Sequence, residues 1–417
     1  MRHHLVPAVL SLLSLVFSVS AAAQDSSYTF TTIDVPGCTS ASGINDDGHI
    51  VGAYDDAPGH RHGFLLAAGI FTTIDVPDDG ISNDVCGLGA STSANGINNH
   101  GDVVGGYSDG GCPFGFLLPR GGTFSTIDVG GNVITQSAEG INNSGFIVGF
   151  FVRPAFGFYG FLLTTFFDTF QIPPGPVTQA RGINDRGQIV GWYQDANQKS
   201  HGFLRSEDTF TTLDVPGSSS TSAYGINNHG QIVGDYTVSG DPNAAHGFLL
   251  QENAFTMIDV PDSSGTVVNG INNSSQIVGE YKDADQRWHC FFATPTPEQI
   301  TVAVDIKPGS DANPINPRSN GKVPGAILTT NTFDATTVDA ATVRLGATGA
   351  EAVPVRVAIE DVNHDGLSDL LLHFNTQDTG IECGATSASL TGQTFSGQPI
   401  RGADSIVTVG CKGQRGR

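Results

Sequence analysis

The chain has 417 residues, with 41 acidic against 19 basic side chains and a net charge of −22. That balance repels phosphate backbones and anionic lipid, so nucleic acid and membrane surfaces are excluded as natural partners and divalent cations are favoured. Fifty-four glycines and only two methionines argue against a helical protein and for many tight turns.

Residues 1–23 have the form of an export signal. Arg2, His3 and His4 precede an apolar run from Leu5 to Val19, and Ala21-Ala22-Ala23 follows. The run is short for a membrane anchor and ends in a small-residue cleavage site. The mature chain is expected to be secreted, extracellular or periplasmic, with no membrane span.

From residue 24 to 293 the chain repeats itself. Gly-Ile-Asn, followed by Ile-Val-Gly (Val-Val-Gly in the second copy), begins at Gly43, Gly96, Gly140, Gly182, Gly225 and Gly270. His-Gly-Phe-Leu-Leu follows at His62 and His246, with variants at His201, Phe114, Tyr159 and His289. Phe-Thr-Thr-Ile-Asp-Val-Pro starts at Phe30 and Phe71, varies at Phe124, Phe210 and Phe255, and is weakest around Phe170. Apolar and polar residues alternate at period two, and Asn45-Asp46-Asp47-Gly48 and its equivalents have the composition of tight turns. Each repeat therefore reads as four antiparallel strands in about 44 residues, the size of one propeller blade. Ser275 stands where the other five copies place the closing glycine, which predicts a strained or differently shaped turn.

The repeats are offset. A Phe-Thr-Thr-Ile-Asp-Val strand opens the mature chain, and the last repeat lacks one. If the first strand completes the last blade, the ring closes and no edge is left bare. The expected fold is all-β: a six-bladed β-propeller closed by its N-terminal strand, plus a C-terminal β-sandwich. The phrases over residues 28–293 resemble the bacterial extracellular HAF repeats, with Gly in place of the Ala of His-Ala-Phe. The resemblance implies export and a propeller-like fold and no defined activity.

Residues 294–298 (Thr-Pro-Thr-Pro-Glu) read as a stiff linker. Within 299–417, strands are expected at 300–306, 323–328, 353–359, 370–374 and 405–409. The runs Asp305-Ile306-Lys307-Pro308-Gly309 and 316–324 resemble a C-terminal module of secreted bacterial proteins. Asp361-Val362-Asn363-His364-Asp365-Gly366-Leu367-Ser368-Asp369 carries oxygen side chains at loop positions 1, 3, 5 and 9 and Gly at position 6. Asp361, Asn363, Asp365 and Asp369, with the Leu367 carbonyl, form an expected Ca²⁺ site similar to the EF-hand-like loops of dockerins and integrin-type repeats. Leu372 replaces the bidentate Glu of a full EF-hand, and a strand follows.

Six cysteines in an exported chain allow three disulfides. Cys86 and Cys112 fall in loops on one face of the same blade. Cys383 and Cys411 are alone in the C-terminal domain. Cys38 and Cys290 remain, near the closure point. His62, His201, His246 and His289 occupy equivalent positions in separate blades, where Phe114 and Tyr159 can substitute, so a packing role is expected. The recurring Asp34, Asp75, Asp128, Asp214 and Asp259 read as hydrogen-bond partners for backbone, His or Thr. No phosphate loop, His-Glu-x-x-His, Gly-x-Ser-x-Gly or Cys-x-x-Cys is present. With blades this uniform, no unique polar cluster and no catalytic residue is expected. The reading is a secreted, non-catalytic binding or scaffold protein for an unknown extracellular ligand, polysaccharide or protein. The alternative is a carbohydrate-active hydrolase or lyase using the propeller face or channel.

Overall fold

The computed structural model describes residues 13–14, 28–33, 35, 37–56, 60–77, 90–109, 113–129, 133 and 135–411. Asp34, Cys86 and Cys112 lie outside the described residues, as does nearly all of the expected export signal. The chain divides into two compact units, Met1–Thr296 and Pro297–Arg417. Among the described residues it is all-β apart from two short 3₁₀ turns, and no helix there is long and apolar enough to cross a membrane.

In the first unit each repeat makes four antiparallel strands. Cys38–Ile44, Ile50–Asp55, Arg61–Ala67 and Ile70–Ile74 form the first sheet. The second begins with Ala90–Ile97 and is tied to the first by a single bridge, Arg61 to Ser91. The fourth also carries Leu13–Ser14, parallel to Thr211–Thr212. The sixth sheet takes its outer strand from the other end of the chain. Tyr28–Ile33 pairs antiparallel with Trp288–Pro295, in a register running from Tyr28 opposite Pro295 to Ile33 opposite Cys290. Thr294 and Pro295 thus belong to a strand, and the expected linker starts later than its composition suggests.

The repeated glycines are explained by what lies beside them. A Cβ on Gly43 would stand 3.0 Å from the Asn95 carbonyl and 3.2 Å from the Gly96 Cα, and on Gly182 it would stand 2.6 Å from the Tyr224 carbonyl. The innermost strands pass each other backbone to backbone, and any side chain there would force them apart at a cost of about 1–3 kcal/mol or more. The same holds from the sixth sheet back to the first, where Gly270 faces the Ser42 carbonyl and Gly43. Six apolar clusters fill the joins between successive sheets, each around a fully buried phenylalanine: Phe64, Phe116, Phe161, Phe203, Phe248 or Phe291. The join between the sixth and first sheets holds Ile33, Val35, Phe64 and Val278. The Cys38–Cys290 disulfide crosses it, with Cα atoms 6.0 Å apart.

Ser275 makes the same turn as its glycine counterparts, its N–H donating to the Asn272 carbonyl at 3.0 Å, but at φ 57°, a left-handed backbone that strains a non-glycine residue, so of the two expected outcomes the turn is strained and not reshaped. One local expectation changes. In the third repeat the outer strand is Phe167–Phe170. Phe170 stands opposite Gly160, as Ile74 stands opposite Gly63 and Leu213 opposite Gly202. The phrase therefore starts at Phe167, and Phe170 holds the isoleucine position, its bulk accommodated over a glycine.

In the second unit, Ile300–Thr301, Pro399–Ser405, Ser387–Thr394 and Val338–Gly346 make one sheet. Val304–Ile306, Lys322–Ile327, Asp369–Asn375 and Pro354–Glu360 make another. Both contribute to one core around Ile306, Leu345, Leu372, Phe374, Leu390 and Ile400. The expected strand 300–306 is split between the sheets. Three strands rich in Thr, Ser, Gly and Asp escape a search for apolar runs. The Cys383–Cys411 disulfide is formed, Cα atoms 5.7 Å apart.

The repeated histidines clamp strands together. His201 Nδ1 meets Asp214 at 2.8 Å, and its Nε2 lies 3.6 Å from Asp195. His62 does the same with Asp75 and Asp56, and His246 Nδ1 meets Asp259 at 2.8 Å. His289 instead uses Nε2 to reach Asp283 at 2.8 Å. His62, His201 and His289 each stack on the tyrosine of the neighbouring strand, Tyr54, Tyr193 and Tyr281, with centroids 5.1–5.3 Å apart. The hydrogen bond that His201 donates to Asp214 raises its pKa, against burial and Lys199; the one that His62 donates to Asp75 does the same against burial. A raised folded-state pKa adds stability that is complete below the unfolded value of about 6.5 and is lost as pH rises through the folded one. The first unit's melting temperature should therefore fall as pH is taken upward from about 6. His201→Phe, the residue type found at Phe114, should reduce that slope in calorimetry. A slope unchanged by the substitution contradicts the clamp.

Candidate functional site

Two polar assemblies lie where the inner strands converge. At the turn end of these strands, the asparagine of each Gly-Ile-Asn is nearly fully buried. Its side-chain amide donates to the main-chain carbonyl of the asparagine in the next sheet: Asn45 to Asn98, then Asn142, Asn184, Asn227, Asn272 and back to Asn45, all at 2.9–3.2 Å. One residue on, a second circuit runs the same way. The N–H of Asp46 donates to the Asn99 side chain, and Asn143, Asp185, Asn228 and Asn273 continue it to Asp46 Oδ1, at 2.8–2.9 Å. The two carboxylates sit three sheets apart, and each takes two further amide donors, Asn99 and Asn273 on Asp46, Asn143 and Asn228 on Asp185. Burial opposes the charge on Asp185, yet the donors from Asn143 and Asn228 hold its carboxyl below the usual range. The space enclosed is about 70 Å³, and the polar groups lining it are spent on one another.

Further along the same strands the enclosure widens to about 440 Å³. Here the residue just before each Gly-Ile-Asn faces inward: Ser42, Asn95, Glu139, Arg181, Tyr224 and Asn269. Glu280, the residue after an Ile-Val-Gly, also lines it. No two neighbours in this ring are alike. The expectation that the blades hold no unique polar cluster is thus corrected: the repeat is uniform where strands touch and variable at the position before Gly-Ile-Asn, which lines the enclosure in every sheet.

The cluster has a definite electrostatic structure. Arg181 Nη1 meets Glu139 Oε2 at 2.6 Å, and Arg181 Nη2 donates to Gln179 at 2.9 Å. Burial disfavours the Arg181 charge; Glu139 outweighs it and keeps the pKa above the ordinary value. The guanidinium lies 5.5 Å from the Phe150 ring centroid and 5.8 Å from that of Tyr224, within range for cation–π contact. Asn95 Nδ2 donates to the Ala138 carbonyl at 3.0 Å and reaches Glu139 at 3.4 Å. Across the enclosure Glu280 accepts from Asn269 Nδ2 at 2.5 Å. Burial pushes the Glu280 carboxyl up to about 8, against Asn269 and with a contribution from the Asp235 charge. Asp235 is pushed by burial to about 6, and the Tyr224 hydroxyl is raised by burial beyond reach of ordinary pH. At neutral pH Glu280 is therefore mostly a neutral O–H donor, and the Arg181–Glu139 pair cancels. Arg181 Nε and Asp235 Oδ1 have no hydrogen-bond partner among the described residues, so the cluster is not self-contained. Trp288, with Lys282 Nζ 4.9 Å from its ring centroid, and Arg61 stand at the rim.

The other expected site residues fall elsewhere. In the 361–369 loop Asp361 accepts from the N–H groups of Asp365 (3.1 Å) and Gly366 (3.0 Å), and Asp365 accepts from Leu367 N–H at 2.8 Å. Asn363 Nδ2 donates to Asp365 at 2.9 Å. His364 at φ 62° and Gly366 at φ 89° provide the sharp bend. Asp369 is fully buried, each oxygen taken by one N–H, of Thr329 at 2.8 Å and Val362 at 3.1 Å. Asp361, Asn363 and Asp365 thus share one exposed loop, while Asp369 anchors its end to the sheet. Among the described residues no three His, Cys, Asp or Glu side chains converge at metal-holding distance.

No protein-family model matches the chain, and no curated protein does. Solved structures similar to it include AofleA from Arthrobotrys oligospora (9% identity, 64% of this chain and 85% of that one, TM-score 0.42). The Aleuria aurantia lectin, a six-bladed β-propeller with a fucose recognition mode, matches at 12% identity over 61% of this chain and 90% of its own, TM-score 0.39. Virginiamycin B lyase from Staphylococcus aureus matches at 11% over 64% and 99%, TM-score 0.36. At these values the likeness carries no argument about ligand or chemistry.

Proposed function

We propose that the first unit is a six-bladed β-propeller closed by its N-terminal strand, exported from the cell, and that its central enclosure binds a neutral polyhydroxylated ligand, such as the end of a glycan chain. The observation that carries this reading is the set of unlike polar side chains that the repeat directs into one 440 Å³ enclosure. Closure is supported by the two hydrogen-bond circuits that return to Asn45 and Asp46. Hydroxyls of Ser42 and Tyr224, amides of Asn95 and Asn269 and the protonated Glu280 offer uncharged donors and acceptors, which suit a polyol better than an ion. Trp288 at the rim offers an apolar face for a sugar ring.

A hydrolytic reading draws on the same residues, since Glu280 is held protonated and feels the charge of a second carboxylate, Asp235, with the lower value of about 6. Carboxylates whose environments separate their pKa values are suited to acid and base roles. Both readings are tested together by presenting neutral and acidic oligosaccharides to the mature chain and measuring calorimetric binding and release of reducing ends. Neutral glycan should bind at pH 6–7. Affinity should fall above pH 8 by up to about tenfold per unit, because only the protonated Glu280 donates. Glu280→Gln should flatten that fall, and Ser42→Trp, which fills the enclosure, should abolish binding. Binding that survives Ser42→Trp contradicts the site. Turnover lost in Glu280→Gln favours the enzyme.

For the second unit, read as a β-sandwich, we propose that Ca²⁺ binds the 361–369 loop through Asp361, Asn363, Asp365 and the Leu367 carbonyl. Asp369 contributes by its remaining lone pairs or holds the loop in place. The support is the donor set, all hard oxygen, and the three aspartates gathered within nine residues. Calcium should raise the second unit's melting transition as mass action requires and leave the first unit's unmoved, and Asp365→Ala should remove the response. Calorimetry with and without chelator checks it; a second transition indifferent to calcium contradicts it.

A further inference from the structure

The strand Pro354–Glu360 lies at the edge of its sheet, paired on one side only, with Asp369–Asn375. Val357 and Ile359 stand opposite Leu372 and Leu370, which belong to the core. Yet Val357 is 49% and Ile359 58% exposed, and Val355 is 44% exposed. The strand overhangs the opposing sheet, leaving its core-side apolar residues in solvent beside an unpaired backbone edge. Such an edge is a template for another strand.

The sequence of the strand says which. Opposite residues in an antiparallel pair must point to the same side of the sheet, so a strand can pair with its own copy only in registers that keep alternate residues together. In the register centred on Ala358, Val357 meets Ile359 of the second copy on one face, and Arg356 meets Glu360 on the other, each twice by symmetry. A shift of two residues either way sets Arg356 or Glu360 against Ala358 and breaks both ion pairs. Arg356 and Glu360 are exposed and have no ion pair among the described residues.

We propose that this edge is a self-association surface, joining two copies of the chain through antiparallel pairing of residues 356–360 about a two-fold axis at Ala358. The contact is isologous, so it closes at two copies and does not propagate. The test is sedimentation of the full mature chain over a range of concentrations, with the second unit's thermal transition as the check on folding. A dimer is expected. Arg356→Glu and Glu360→Arg should each weaken it by about tenfold or more, by turning two attractive pairs into repulsive ones. The double variant R356E/E360R should restore it. A chain monomeric at all concentrations overturns the proposal. So does a dimer indifferent to the single reversals, or one that the double variant fails to restore. Capture of a different protein on this edge by a chain that never pairs with itself also counts against it.

Discussion

Everything in the first unit depends on how closely six backbones can approach one another. At Gly43, Gly96, Gly140, Gly182, Gly225 and Gly270 the inner strands touch without side chains between them. That proximity lets each Gly-Ile-Asn asparagine reach the next main-chain carbonyl. Glycine removes the spacer and the asparagine supplies the bond. The asparagine oxygen accepts from N–H groups of its own turn, as Asn142 does from Ser144 and Phe146. One side chain therefore shapes a hairpin and joins two sheets. A buried donor or acceptor left unmade costs about 1–3 kcal/mol, so the positions are coupled in a way that tolerates little variation.

The same constraint explains where the candidate site is. A residue whose backbone is fixed by its neighbours, but whose side chain projects into the enclosure, is free to differ from sheet to sheet. The position before each Gly-Ile-Asn is of this kind. The small Ser42 stands at that position in the first sheet, and Ser40, Ala53 and Ser93, also small, line the enclosure beside it. Arg181, Tyr224 and Phe150 crowd the other side. Confinement then does the chemistry: Glu280 keeps its proton because a charge there has little water to stabilise it.

Much of the fold could be read from the sequence because it is written six times. The turn Asn45-Asp46-Asp47-Gly48, the glycine spacings and the unmatched N-terminal strand all state period and pairing directly, and Tyr28–Ile33 lies where that offset puts it. The single-copy second unit was less legible. Val338–Gly346 and Ser387–Thr394 hold their places by pairing with each other, and their composition carries little apolar signal. The site was hidden for the opposite reason. A search for repetition treats Ser42, Asn95, Glu139, Arg181, Tyr224 and Asn269 as noise, yet the failure of one column to repeat inside a strict phrase was itself the signal. The histidines, which do repeat, each meet an aspartate of their own blade.

The account rests on the six sheets being held as one ring, with the join between the sixth and first as strong as the rest. Native-state hydrogen exchange measures this directly, residue by residue. The N–H of Asn273, which bridges that join to Asp46, should exchange as slowly as those of Asp46, Asn99, Asn143, Asp185 and Asn228, all through one global opening. Fast exchange at Asn273, with the other five still protected, would show an arc of sheets with a free end and contradict the ring.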